Sequence, residues 1–380
     1  MKSNYFKDKK GILYLHYANT YKSPFIYKKL GIHIPSNVIF IKSGRQEIIY
    51  APPYDYDYLK KYCHRCIVRT AESLSQTDKN VFEALIKYLL TKKKKVIVPS
   101  DFPLWLFNKI KSAKIDIVVE DFYFFRTVII KNSKEIKIIE KNAAIVKQCF
   151  KYIVGILTRS RVRKNCLYYY NQRLDTERLI AYINEFLGKR GLVCEIPVIA
   201  VGRNTYYPHM MKNQIIRANE PVIIDLACRD IAQGYYIDVS RTYCKGLLKP
   251  DILARLHKEI LNIKFRLEKE IIQNKLIAVM YNLAADLFAQ AGILLVFRNC
   301  NNVKMPIFHH SLGHGVGREL HELPLIDKDI NVPFEKNMII AFEPACYLKN
   351  IGGIRIEDTY LITKSKTYNL TSGNYDCEIK

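Results

Sequence analysis

Through residue 120 the chain alternates short apolar runs of strand length with longer stretches whose apolar residues recur at helical spacing. NVIFI (37–41), EIIYA (47–51), KVIVP (95–99) and DIVVE (116–120) predict strands, and NVFEALIKYLLTK (80–92) predicts a helix. That alternation describes an α/β unit. Near Thr127 the pattern changes. From Asn132, SKEIKIIEKNAAIVKQCFKYIVGIL carries apolar residues at helical spacing, with Ser133 as the expected N-cap ahead of Glu135. A domain boundary just before this helix gives an N-terminal domain of residues 1–128 and a second domain of residues 129–380. Three further helices are predicted near 174–187, 251–272 and 275–290. The strands PVIIDLA, YYIDVSRTY, MIIAFEPACY and GGIRIEDTYLIT lie between and after them. No repeat of solenoid period and no low-complexity segment interrupts the pattern.

Composition narrows the class. With 380 residues, 49% of them apolar, the chain can bury two cores and is not disordered. No apolar run reaches the roughly 18 residues of a membrane span, and the opening MKSNYFKDKKGILYLHY lacks the apolar core of a secretory signal. The expectation is a soluble cytoplasmic protein with no membrane partner. Ten scattered cysteines then read as reduced thiols. Only Cys63 and Cys66, in YCHRC, have metal or redox spacing, and one C-x-x-C without a second pair reads as ordinary packing ahead of either. The net charge of +24 is densest in the first third. Abundant Lys, Ile, Asn and Tyr beside a single Trp fit coding by an AT-rich genome, so the charge is a weak argument for nucleic acid as a partner. The run KKKK (92–95) suits a solvated helix end.

The chemistry-bearing residues are acids inside apolar strands. PVIIDLACRDIAQGYYIDVSRTY reads as a hairpin centred near Ile231, which sets Asp225 across from Asp238. MIIAFEPACYLKNIGGIRIEDTYLI repeats the arrangement: its midpoint is Asn350, so Glu343 faces Glu357, and Arg355 shares the face of Glu357. A buried carboxylate is costly without a cation or hydrogen bonds, and four converging ones repel each other. Two divalent cations balance them. HHSLGHGVGRELHE (309–322) adds four of the nine histidines around three glycines, and one imidazole among four carboxylates makes an oxygen-rich site favouring Mn, Co or Fe over structural zinc. The glycines let the backbone pass close to the site.

The ordered series IIDLA, YYIDVSRT, HSLGHGVGRELHE, FEPACY and GGIRIEDTYLIT resembles the pita-bread metallopeptidases, and within them the Xaa-Pro aminopeptidase and prolidase branch, over residues 130–380. The resemblance implies an α+β fold, with a pita-bread (creatinase/aminopeptidase) catalytic domain preceded by a smaller α/β domain that narrows access to short peptides. It implies that Asp225, Asp238, His314, Glu343 and Glu357 hold two divalent metal ions, manganese first, with cobalt, iron or zinc as alternatives. Asp238 and Glu357 would bridge; Asp225 would complete one ion, His314 and Glu343 the other. By the same resemblance His209, in GRNTYYPH, lies over the substrate, His321 is a second non-ligand histidine of the site, His310 lines the substrate pocket and Arg355 holds the acidic cluster. His309, His16, His33, His64 and His257 match nothing and are expected in packing or surface positions.

The implied reaction is hydrolysis of the bond between an N-terminal residue and a following proline, in peptides or dipeptides. Hydroxide shared by the metals would attack, and Glu343, aided by His209 and His321, would protonate the leaving nitrogen. Three positions depart from the family pattern. Ala227 and Ala345 stand where glycine is common, and the Asp225 to Asp238 interval is two residues longer, an even insertion that preserves side-chain parity. An inactive relative that binds peptide or protein, a methionine-aminopeptidase-like exopeptidase and a nucleic-acid-binding protein are the competing readings. Retention of all five expected ligands argues against the first. Dimerisation is common in the family, but the sequence carries no interface signal.

Overall fold

The computed structural model describes residues 11–74, 80–296 and 305–380. The chain divides into two compact units, Met1–Val128 and Ile129–Lys380.

The first unit is built on a six-stranded sheet of β1 (Ile12–Ala18), β2 (Val38–Ser43), β3 (Gln46–Ala51), β4 (Ile67–Thr70), β5 (Lys95–Val98) and β6 (Ile117–Val119). Their order is β4-β3-β2-β1-β5-β6. β2 is antiparallel to β1 and β3, whereas β4, β5 and β6 join in parallel. The apolar runs are continuous because both faces are covered. Leu13, Leu15, Ile39 and Ile41 share one core with Leu85 and Leu89 of α3 (Val81–Lys92) and Leu106 and Ile110 of α4 (Leu104–Ser112). Val38 and Phe40, of opposite parity, pack with Phe25 and Ile26 of α1 (Pro24–Leu30) and Leu59 of α2 (Pro53–Tyr62). The central strand β1 and the edge strand β4 are additions to the strands expected from the sequence. A last helix, α5, spans Phe122–Ile129.

The second unit opens with α6 (Ser133–Arg159). Its N-cap is Asn132 rather than the expected Ser133: the Asn132 side chain accepts from the Lys134 and Glu135 amides, and the Glu135 carboxylate accepts from the Asn132 amide. An asparagine three residues before a glutamate closes this reciprocal box, which Ser133 is one residue too late to do. α6 packs on the strand Tyr236–Lys245, and α7 (Thr176–Gly188) packs on α6. α8 (Asp251–Leu267) buries Leu253, Leu256, Ile260, Ile263 and Leu267 at helical spacing, and α9 (Ile277–Gln290) joins the same core. Each such side chain contributes roughly 1.5–3 kcal/mol. Among the described residues no helix is long and apolar enough to cross a membrane.

Three sheets place the acids. The first holds the hairpin Val222–Asp230 and Tyr236–Lys245, with Leu192–Cys194 and Val198–Val201 on its outer strand. The second contains Glu322–Leu325, Gly313–Gly315, Ile339–Phe342, Asp358–Ile362 and Thr367–Asn369 in that order. The third includes Ile307–Phe308, Ala345–Leu348 and Gly352–Arg355. The expected single strands MIIAFEPACY and GGIRIEDTYLIT are therefore each split, at Glu343–Pro344 and at Ile356–Glu357. Pairing nevertheless continues across both breaks with one register, from Ile339 opposite Leu361 and Phe342 opposite Asp358 to Ala345 opposite Arg355 and Leu348 opposite Gly352. One long hairpin thus bends from one sheet into another, and Pro344, which has no N–H to give a ladder, sits at the bend.

Candidate active site

The first hairpin differs from expectation in register. Asp225 pairs with Ser240, and Asp238 pairs with Ala227, so the two aspartates are diagonal rather than opposite. The cause is the turn, which centres between Ala232 and Gln233. The Asp230 carboxylate accepts from the amides of Gln233 (2.6 Å) and Tyr235 (2.9 Å), Asn142 holds the same carboxylate at 3.2 Å, and Gly234 takes φ 75°. Moving the midpoint by one residue moves the partner by two, so both aspartates keep the same face. The Ala227 methyl lies on that face, directly across from Asp238.

Glu343 and Glu357 stand opposite each other at the bend of the second hairpin, as its unbroken register requires. The Glu357 amide donates to the Ser240 carbonyl at 2.9 Å, and Arg241 Nη1 donates to the Glu357 carbonyl at 2.5 Å, tying the two hairpins together. His314 comes from Gly313–Gly315, wedged between two neighbours. A Cβ on Gly313 would lie 2.2 Å from the Ala341 carbonyl oxygen, and one on Gly315 2.3 Å from that of Leu323. Only glycine allows this approach, which accounts for the glycines around His314.

Three overlapping groups of donors result, with atoms within 4.8 Å of one another: Asp225, Asp238 and Glu357; His314, Glu343 and Glu357; and Asp238, His314 and His321. His314 Nε2 is 3.6 Å from Asp238 Oδ2 and 3.9 Å from Glu343 Oε1. Its Nδ1 lies 3.0 Å from the Gly315 carbonyl, which orients Nδ1–H there and turns the Nε2 lone pair toward the acids. Among the described residues the buried Asp238 Oδ1 has no hydrogen-bond partner.

The electrostatics are those of a cation site. Burial, then Asp225 and Glu343, push Asp238 far above the usual carboxylate range; burial, then Asp238, Glu343 and Asp225, do the same to Glu357. Burial, aided by Asp225, raises Glu343 to about 8 despite Arg355. Asp238, Glu343 and Glu357 hold protons in this space unless cations replace them. Burial, with the neighbouring His321, lowers His314 to about 4, leaving it neutral at neutral pH, as a ligand must be. The donor set and the partnerless Asp238 oxygen therefore fit divalent metal.

Arg355 Nη2 donates to Asp225 Oδ2 at 2.6 Å and its Nε to Ser240 Oγ at 3.1 Å; its Nη1 lies 3.3 Å from the Tyr347 hydroxyl. Burial opposes its charge, but Asp225, Tyr347 and the cluster acids hold it firmly protonated. His310 Nδ1 faces the Ser311 carbonyl (2.8 Å) and, at 3.5 Å, Glu343 Oε2, while its Nε2 contacts the Tyr347 hydroxyl at 3.0 Å. Burial lowers it to about 3. The His321 ring stands on that of His314 at 4.4 Å. His209 is exposed and close enough to His309, His310 and His321 to disfavour their protonation.

Sequence reasoning missed Ser240, Tyr347 and His309. Ser240 and Tyr347 follow Asp238 and Glu343 by even numbers of residues, so strand parity was their available signal. His309, expected outside the site, lies beside Tyr347 with ring centroids 4.8 Å apart. By contrast, His16 is buried against Ser23 at 2.9 Å, and His257 is buried in α8. His33 packs on Tyr21 and Tyr27, and His64 is exposed.

Residues 137–364 match the model of metallopeptidase family M24. The chain belongs to that family, and its fold is the pita-bread fold with a preceding α/β unit. It is 27% identical over 362 residues to an Xaa-Pro dipeptidase of Pyrococcus horikoshii, covering 92% of this chain and 91% of that protein. Among solved structures it is similar to the prolidase from Pyrococcus horikoshii OT3, with TM-score 0.75, 23% identity and coverage of 98% and 97%. It is likewise similar to an Xaa-Pro dipeptidase from Bacillus anthracis, with TM-score 0.78, 18% identity and coverage of 97% and 95%.

Proposed function

We propose that this chain is a metal-dependent exopeptidase that hydrolyses the bond between an N-terminal residue and a following proline. The carrying observation is the convergence of Asp225, Asp238, His314, Glu343 and Glu357 within metal-ligand reach, with a buried Asp238 oxygen lacking any other partner. The relatives named Xaa-Pro dipeptidase supply the substrate class.

Glu357 belongs to both the Asp225–Asp238 group and the His314–Glu343 group, and Asp238 reaches His314; this overlap supports two ions, which Asp225, Asp238, His314, Glu343 and Glu357 would hold. Such ions, manganese first with cobalt, iron or zinc as alternatives, would acidify a water and polarise the scissile carbonyl. The protein's own groups do the rest. Glu343 takes the proton the attacking water gives up and returns it to the proline nitrogen. His209 and His321 donate hydrogen bonds over the substrate. His310, oriented by Ser311 and Tyr347, lines the pocket, and Arg355 fixes the Asp225 carboxylate that would otherwise turn away.

The test is a panel of Xaa-Pro, Xaa-Pro-Xaa and Met-Xaa peptides offered to chelator-treated protein with and without added Mn or Co. Cleavage before proline that depends on metal is expected. Preference for Met-Xaa peptides points instead to methionine aminopeptidase activity, and no cleavage with any divalent ion leaves a peptide-binding module.

A further inference from the structure

The first unit contains a pair of thiols remote in sequence from every residue of the acid cluster. Cys63 caps the C-terminal end of α2, and Cys66 stands just before β4, with exposed His64 and Arg65 between them. Both sulfurs approach one acceptor, the Lys29 carbonyl, at 3.8 and 4.0 Å. The Cys66 sulfur also lies 3.9 Å from Glu47 Oε2, so an acid faces Cys66. The neighbouring Cys66, then the local backbone and His64, bring the Cys63 thiol down to about 6 against burial. Cys66 is held protonated in turn by its neighbour Cys63, by burial and by Glu47.

A metal does not suit the pair. Among the described residues, the groups of three or more donors able to converge on an ion all lie in the acid–histidine cluster. Two free sulfurs set on one carbonyl oxygen in a C-x-x-C spacing suit oxidation instead. Cys63 is buried and Cys66 half-buried, which excludes a bulky disulfide oxidant.

We propose that Cys63 and Cys66 form a peroxide-reactive dithiol that closes to an intramolecular disulfide. The Cys63 thiolate attacks one peroxide oxygen, the O–O bond breaks, and Cys63 sulfenic acid forms with release of hydroxide or alkoxide, which takes a proton from water. Cys66 sulfur then attacks Cys63 sulfur; the S–O bond breaks and the departing hydroxide leaves as water with the Cys66 proton. Two electrons pass from the dithiol to the hydroperoxide. Proximity alone is not the criterion. Cys194 and Cys228 are cross-strand partners in the second unit, but they are 3% and 0% exposed, and Cys194 with burial holds Cys228 strongly protonated. They serve as the internal control.

The experiment treats the reduced full-length protein with hydrogen peroxide, alkylates the remaining thiols and maps them by mass spectrometry. The peptide bearing Cys63 and Cys66 is expected to lose two hydrogens and both alkylation sites, and to regain them with dithiothreitol, while Cys194 and Cys228 stay alkylatable. In Cys66→Ser, dimedone should label Cys63; in Cys63→Ser, Cys66 should remain unlabelled. The proposal is overturned if both thiols of the unmodified sequence still alkylate after peroxide, if Cys194 and Cys228 oxidise equally fast, or if dimedone marks Cys66 rather than Cys63.

Discussion

Glu357 and Asp358 are adjacent in the chain and have opposite electrostatic fates. Glu357 joins the acid cluster, whereas the fully buried Asp358 accepts from Arg241 Nη2 at 2.7 Å and lies 2.8 Å from Lys264 Nζ, with Tyr375 and Thr371 hydroxyls at 2.6 and 2.7 Å. Burial works against the Asp358 charge, but Arg241 and Lys264 overcome it and hold the carboxyl well below its usual range. Consecutive strand residues face opposite sides, so one acid joins the other carboxylates of the cluster and the other is matched by cations of the chain itself.

These neighbours should therefore respond oppositely to amide substitution. Asp358→Asn leaves two buried cations short of a partner and is expected to cost about 3–5 kcal/mol in the metal-free protein. Glu357→Gln replaces a group that burial and its neighbours already keep protonated, so metal-free stability should change by less than about 1 kcal/mol. Urea unfolding of both variants after chelation decides it; equal losses would refute the division.

Glu343→Gln is expected to lose metal and peptidase activity together. Metal content after gel filtration in manganese, measured beside Xaa-Pro turnover, checks this. A variant with normal turnover removes Glu343 from the scheme.

The close approach at Gly313 predicts that Gly313→Ala costs about 1–3 kcal/mol or more, because its Cβ would meet the Ala341 carbonyl at 2.2 Å and Ile326 Cδ1 at 2.9 Å. Gly188→Ala, at the end of α7 with nothing within 4 Å, should instead gain up to about 1 kcal/mol. Unfolding midpoints that move in the same direction would contradict the packing argument.

His257 gives a pH dependence. Burial lowers its folded pKa to about 4, below the value of about 6.5 for the unfolded chain. A depressed pKa means the unfolded state takes the proton first, so stability is complete above pH ~6.5 and declines as pH falls to ~4. The loss is about 3 kcal/mol. His257→Gln should flatten that part of the stability curve; an unchanged slope would show that another group sets it.

Much of the acid cluster was legible because strand parity depends on sequence alone. Asp225 and Asp238 share a face under either register, and counting outward from Asn350 puts Glu343 against Glu357 whether or not the strands bend. Parity could not reveal that Asp230 would close the first turn and set Asp225 opposite Ser240, since that requires Asn142, far away in the chain, to hold the carboxylate. Nor could it place His309 beside Tyr347, or Lys264 of α8 against Asp358, because those contacts join elements whose docking is decided by packing.

What the sequence by itself determined was therefore the alternation of faces, the helices with their apolar stripes, and the identity of residues too costly to bury without a cation. The tertiary structure alone decided which of those residues meet. Registers, the bend at Glu343–Pro344 and the separate fates of Glu357 and Asp358 depend on side chains from distant segments, whose short-range contacts act only after the chain has folded.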